Sequence, residues 1–315
     1  MKKFLKLLAG ILASTLLLGG CQSAPADNLS VSGTASLPSA ASVSSATATA
    51  GKQSASVWYF DVGQGDSELV RLSNGKNLLI DAGTTESGPH LVKLIKDMGI
   101  TKLDMVIATH PHADHIGGML KIVENFEIGT FYMPRIADKD VPTTKTYTDL
   151  LKGIQRKRIP TVAAKAGISL LQEKSCSVRL LAPKLAQYKE MNNYSAVAMV
   201  TIGEKKFLFT GDAQKESETE MLKSGAALHA DVLKCGHHGS KTSTTVSFLK
   251  AVSPSAAVIS CGRGNDYGFP TQQTLTRLKS GGIRIYRTDE QKTICAHTDG
   301  KTIQFETGLP SATTT

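Results

Sequence analysis

The stretch Thr109-His110-Pro111-His112-Ala113-Asp114-His115-Ile116-Gly117-Gly118 decides how the rest of the chain is read. Three imidazoles and a carboxylate fall within six residues, after the apolar run 103–108 and before a helical periodicity that opens at His115. Donors spaced this closely converge on an ion only where the backbone bends around them, so the stretch reads as strand, ligand-bearing loop and helix. Imidazole is the commonest ligand of zinc-like ions, and with 8 histidines in 315 residues such a density is not the ordinary makeup of a polar turn.

Outward from that loop, strand-type runs recur at 57–62, 67–72, 77–80, 103–108, 130–133, 177–181, 196–202, 206–209, 231–234, 256–260, 283–286, 293–296 and 302–305. Asn74-Gly75 marks a tight hairpin between two of them. Helical periodicity covers 89–98, 115–124, 146–156, 214–222, 244–251 and 271–279. Strands partly in hairpins and partly alternating with helices predict sheets with helices packed outside them, a layered α/β domain over 57–307. Two strand ends echo each other. Leu-Leu-Ile-Asp-Ala-Gly at 78–83 and Phe-Leu-Phe-Thr-Gly-Asp at 207–212 put Asp81 and Asp212 at the mouths of apolar strands, as two similar halves facing a cleft would.

Composition bounds the class. With 41% hydrophobic and 20% charged residues and a mean hydropathy of -0.09, the chain is neither a polytopic membrane protein nor wholly disordered. The formal charge of +9 shrinks to a modest basic excess once Lys2, Lys3 and Lys6 are set aside as part of a leader. Residues 1–20 read as a lipoprotein signal peptide, with a basic start and a short apolar run; Leu18-Gly19-Gly20-Cys21 resembles the bacterial lipobox. Cys21 is therefore the expected lipidation site, on an exported protein anchored to the extracytoplasmic face of the cell membrane. Residues 21–56, rich in Ser, Ala and Thr, read as a flexible tether, and 308–315 as a disordered tail. Cys176, Cys235, Cys261 and Cys295 lack Cys-x-x-Cys spacing and lie in or beside apolar runs, which predicts buried free thiols.

The spacing His-x-His-x-Asp-His resembles that of the metallo-β-lactamase superfamily. Five phrases resemble its ComEC-type competence-protein branch: Asp61-Val62-Gly63-Gln64-Gly65-Asp66-Ser67, the His110 to His115 motif, Asn192-Asn193-Tyr194-Ser195, His237-His238-Gly239-Ser240 with Lys241-Thr242-Ser243, and Asn265-Asp266-Tyr267-Gly268. The resemblance implies the four-layer αββα metallo-β-lactamase fold, with one or two divalent ions, zinc or manganese. His110 and His112 would hold the first ion, Asp114, His115 and His237 the second, and Asp212 would bridge them. Water between the ions would be the nucleophile, with Asp114 and Asp212 as the catalytic carboxylates. His238, Ser240, Lys241, Asn193 and Ser195 would meet the substrate, and Asp66 and Asp81 would support the ligands from behind.

The substrate so implied is a phosphodiester, DNA first. A cell-surface phosphoester such as phosphorylcholine, or a non-catalytic tethered DNA-binding domain, are the alternatives. Two departures from the branch stand out: no histidine lies between the main motif and Asp212 to complete the first ion's set, and Phe269 stands where histidine is usual. Gly117-Gly118 and Gly239 serve either anion approach or close packing, and the Ser/Thr cluster 240–245 either a phosphate grip or a helix start.

Overall fold

Strand β1 (Ala55–Tyr59) buries every second residue, the pattern of a strand with one wet face, and opens the first of two sheets. The computed structural model describes residues 54–313. Hairpin strands β2 (Glu68–Arg71) and β3 (Asn77–Ile80) follow, joined through the turn at Asn74-Gly75, where Gly75 takes φ +83°. Parallel strands β4 (Lys102–Ile107), β5 (Glu127–Pro134) and β6 (Thr161–Ala164) extend one edge.

The second sheet takes β7 (Ser169–Gln172), β8 (Cys176–Ala182), β9 (Val197–Ile202), β10 (Lys205–Phe209), β11 (Val232–Lys234), β12 (Ala256–Ile259) and β13 (Arg284–Arg287). The chain then returns to the first sheet with β14 (Thr293–Thr298) and β15 (Ile303–Leu309). The orders are β15-β14-β1-β2-β3-β4-β5-β6 and β13-β12-β11-β10-β9-β8-β7.

Three apolar clusters account for the layering. Val57, Tyr59, Val70, Ile80 and Ile107 of one sheet meet Val178, Leu180, Val200, Phe207 and Val258 of the other. The opposite face of the first sheet, with Leu69, Leu79 and Val106, is covered by α1 (Gly88–Asp97), α3 (Met119–Asn125) and α4 (Lys145–Lys157). That of the second, with Leu208, Leu233 and Ala257, is covered by α5 (Lys215–Lys223), α6 (Val246–Val252) and α7 (Gln272–Ser280). The result is a four-layer αββα arrangement. Strands covered on both faces are buried along their whole length, as in β3, apolar from Leu78 to Ile80, and the wholly apolar β12.

Several sequence expectations need correction. The periodicity over 115–124 is two helices, α2 (Ala113–Ile116) and α3, divided at Gly117-Gly118. A Cβ on Gly117 would stand 2.4 Å from Ala113 O and Thr85 N, and one on Gly118 would stand 2.3 Å from Ala82 O, so backbone packing demands these glycines. Strands β6 and β7 escape the sequence reading because they are largely exposed sheet edges with no apolar alternation.

The expected boundary at Val57 falls two residues inside β1. Within the expected tail, 308–309 finish β15, and beyond the exposed Pro310 the residue Ala312 is fully buried, its N–H donating to Asp61 O, while Ser311 Oγ donates to Asp61 Oδ2. The signal peptide, Cys21 and nearly all of the tether lie outside the described residues. Cys176, Cys235, Cys261 and Cys295 are buried and free. No helix among the described residues is long and apolar enough to cross a membrane.

Candidate metal centre

All the candidate ligands follow the C-terminal ends of parallel strands, where an open α/β sheet presents its loops and ligands. Asp81 follows β3, the histidine loop follows β4, Asp212 follows β10, and His237-His238 follow β11. Backbone strain marks two of these turns. Asp81 takes φ +54°, and His237, His238 and Gly239 take φ +51°, +53° and +82° in succession. Left-handed backbone costs a non-glycine residue about 1–2 kcal/mol, so holding two histidines there is a sacrifice of stability that aims both rings into the cleft.

Two donor groups form. His110 Nε2 lies 3.0 Å from His112 Nδ1 and 3.8 Å from Asp212 Oδ2. His115 Nε2 lies 3.2 Å from Asp212 Oδ1 and 3.9 Å from Asp114 Oδ2. His238 Nε2 lies 3.1 Å from Asp114 Oδ2 and 3.7 Å from Asp212 Oδ1. The two oxygens of Asp212 thus face different sets.

His115 Nε2 and Asp212 Oδ1 are buried without a hydrogen-bond partner, an arrangement whose desolvation cost a cation offsets. Imidazole and carboxylate donors clustered within 4.8 Å of one another suit a divalent ion of the zinc or manganese kind. His110, His112 and Asp212 would hold one such ion, and His115, His238 and Asp212 a second, with Asp66 buried in the same group and Asp114 Oδ2 3.1 Å from His238 Nε2.

Electrostatics divide the histidines the same way. Burial lowers the pKa of His110 well below its usual value and that of His112 below it, which keeps both neutral as ligands must be. For His115 burial acts downward too, but Asp212, Asp114 and Asp81 outweigh it and push the pKa well up. For His238 the downward pull of burial yields to Asp212 and Asp66, and the pKa rises to about 10. Asp212 and Asp114, raised by burial, are lowered further by their histidines and stay ionised.

Behind the ligands lies a buried support. Asp81 Oδ1 accepts from the N–H of Thr109, and its Oδ2 accepts from Thr109 Oγ1 at 2.6 Å and from His115 Nδ1 at 2.7 Å, fixing that ring with Nε2 toward the centre. His238 Nδ1 donates to Ser260 O and stands 3.1 Å from Asp66 Oδ1. Asp66 meets His238 on its Nδ1 side, and its carboxylate also falls within 4.8 Å of the donor atoms of His115, Asp212 and His238, so the residue expected only to support the ligands stands among the candidate donors. Lys234, fully buried, closes this network with Nζ 2.5 Å from Asp66 Oδ2, and Glu68 lies buried nearby with its pKa raised by burial and by Asp66. The sequence reading missed Lys234, although a lysine set between Val232-Leu233 and Cys235 in a strand-type run was a visible signal.

Four expected placements differ from the geometry. His238, assigned to substrate, occupies the position expected of His237 in the second donor set. His237 lies with Nε2 3.7 Å from Asp212 Oδ2, the same oxygen that His110 faces, and Asn192 Nδ2 stands 3.3 Å from it. Asn193, expected at the substrate, is buried, and its Oδ1 accepts the N–H groups of Gln214 and Ser217 at the start of α5. Ser195 is fully buried and accepts the N–H of Asp212 through Oγ, which also lies 3.4 Å from His110 Nδ1. Ser240 is buried and accepts the N–H of Thr242 in a local turn, while Lys241 stays on the surface.

The Ser/Thr cluster resolves as a helix start. Glu218 accepts the N–H groups of Thr244 and Thr245, and Thr245 caps α6. Phe269 packs against both histidines of the doublet, with ring centroids 5.3 Å from His237 and 6.3 Å from His238.

Comparison with known proteins agrees with this architecture. The family described as "Metallo-beta-lactamase superfamily" matches residues 60–263. ComE operon protein 3 of Bacillus subtilis is 32% identical over 251 residues, covering 74% of this chain and 32% of its own length. Competence protein ComA of Neisseria gonorrhoeae is 32% identical over 237 residues, covering 75% of this chain and 31% of its own. Recombination protein 2 of Haemophilus influenzae is 31% identical over 226 residues, covering 69% and 26%. The chain spans about a third or less of the length of these relatives.

Proposed function

Because the chain belongs to the metallo-β-lactamase superfamily and carries a donor cluster suited to divalent ions, we propose that it is a metal-dependent phosphodiesterase acting on nucleic acid. The observation that carries this reading is the two-sided exposure of Asp212 to separate donor sets, which suits a pair of ions able to clamp a phosphoryl group. Ions held there supply Lewis acidity and a water acidic enough to attack at neutral pH.

The chain's own part is positional. Asp114, about one-third exposed and kept ionised by His115 and His238, turns Oδ2 toward the cleft; with its pKa so low it accepts a hydrogen bond from the attacking water better than it retains a proton. His110 and His112, both neutral, leave lone pairs facing the first ion's place. The competence relatives favour DNA among phosphodiesters.

Turnover of single- and double-stranded DNA, bis-p-nitrophenyl phosphate, p-nitrophenyl phosphorylcholine and a β-lactam with added zinc, manganese or magnesium tests the proposal. DNA and bis-p-nitrophenyl phosphate hydrolysis is expected. A β-lactam as the only substrate turned over would overturn the substrate class. We propose further that Cys21 is lipidated and tethers the domain outside the membrane. Cys21→Ser should then abolish lipid labelling and shift the protein to the soluble or precursor fraction.

A further inference from the structure

At the mouth of the donor cluster stands a column of aromatic rings. Tyr267 is 69% exposed and is the one aromatic among the exposed large hydrophobic side chains of the described residues. Its ring lies parallel to that of Phe269, 5.6 Å between centroids and 16° between planes. Phe269 in turn lies 6.3 Å from the His238 ring at 29°. One face of the tyrosine is thus two ring steps from a candidate metal ligand, and the other is open to solvent.

The column is held in place rather than left on a loose loop. Asn265 accepts the N–H of Phe269 and donates through Nδ2 to the carbonyls of Gly262 and Phe269. Gly262 N–H reaches Gln64 Oε1, tying the loop's start to the Asp61–Ser67 turn, and Thr271 N–H reaches Gly239 O, tying its end to the histidine turn. An exposed tyrosine on so braced a loop loses little entropy when a ligand lands on it.

We propose that Tyr267, backed by Phe269, is the stacking platform for one unpaired nucleobase of the strand that runs into the donor cluster, a nucleotide or more away from the phosphate held there; this rests on the phosphodiesterase reading above. Every base has a π-face and stacks on an aromatic ring without regard to sequence. A base in a duplex has both faces covered, so the platform selects an unstacked, single-stranded segment. A quaternary ammonium group is recognised by a cage of several rings, whereas this column offers a single flat floor. Phe269 carries the stack from the tyrosine to the centre.

The test uses the full chain and a short single-stranded deoxyoligonucleotide, either intact or with one abasic position scanned along it, together with a 2-aminopurine version whose fluorescence reports stacking. Wild type should quench 2-aminopurine with or without added metal, and Tyr267→Ala should remove most of the quenching while Tyr267→Trp keeps it. With manganese present, Tyr267→Ala should raise KM for the intact strand about 5- to 100-fold with the loss falling on KM rather than kcat. The abasic strand that mimics this loss should show no further loss in Tyr267→Ala.

Absent quenching in wild type, an unaltered KM in Tyr267→Ala, or penalties that simply add would overturn the platform. Competition by phosphorylcholine dependent on Tyr267 would reassign it to a cation. A wild type that cleaves no oligonucleotide with any metal defeats the phosphodiesterase reading instead, and the quenching still decides the platform.

Discussion

Asp81 and Asp212 stand just beyond two apolar strands, β3 and β10, one in each sheet, and both are almost wholly buried. Their company differs. Asp81 meets Thr109 N–H, Thr109 Oγ1 and His115 Nδ1 within 2.8 Å, so its oxygens are occupied and burial leaves its pKa raised. Asp212 has Oδ1 without a hydrogen bond and four histidine Nε2 atoms within 3.8 Å, and despite burial its pKa is well below the ordinary carboxylate value. His115 joins the two, giving Nδ1 to Asp81 and Nε2 to Asp212. The same strand-end position therefore serves once to aim a candidate donor and once to offer one.

The sharpest test removes each carboxylate. Asp212→Ala deprives both donor sets at once, and turnover should fall by about 10³-fold or more. Chelator-competition titration should find no tight metal, with far-UV circular dichroism showing the fold retained. Asp81→Asn keeps the shape and loses the charge that aims His115, so metal affinity should fall only about 10- to 100-fold. Equal losses in the two variants would erase the distinction between ligand and support.

Protons sharpen the comparison further. His238, with its pKa at about 10 when no ion is present, must release a proton to bind one, so apparent affinity should rise about tenfold per pH unit from 6.5 to 8.5 for each proton displaced. The metal-free protein should behave oppositely. A histidine pKa raised on folding contributes stability that is complete below its ordinary value near 6.5 and is lost as pH rises toward about 10. The depressed pKa of Asp212 contributes stability above about 4 and leaves this slope alone. Melting temperature should therefore fall with pH over 6.5–8.5 in chelator and rise or hold in saturating manganese. Parallel slopes would place the protons elsewhere.

What was legible in the sequence follows from which contacts are local. The His110 to His115 loop, the strands around it and the aspartates at 81 and 212 are marked by spacing and apolar runs. The assignment within the doublet was not, because His237 and His238 are adjacent and a left-handed backbone decides which ring faces Asp114. Asn193 and Ser195 looked like substrate contacts because polar residues near a ligand motif carry no label; their partners at 212, 214 and 217 come from another turn. Lys234 was hidden by its location, since its charge makes sense only beside Asp66, 168 residues away in sequence.

The smallest effects belong to the two hydroxyls that flank His110. Thr109 Oγ1 donates to Asp81 and lies 3.1 Å from His110 Nδ1, so it can take the proton of that nitrogen and leave Nε2 bare toward the first ion's place. Ser195 Oγ, on the Asp212 side, accepts the backbone N–H of Asp212 and lies 3.4 Å from the same nitrogen. Thr109→Val breaks the relay to Asp81 and should weaken the first ion's binding about tenfold. Ser195→Ala leaves one buried N–H unpaired, which should cost about 1–3 kcal/mol of stability by denaturant melt. The Asp212 carboxylate stays in place, so turnover should change by only a few-fold. A Ser195→Ala loss larger than that of Thr109→Val, and confined to KM, would show that the serine meets substrate after all and that the Asp212 side of the centre is more open than its burial indicates.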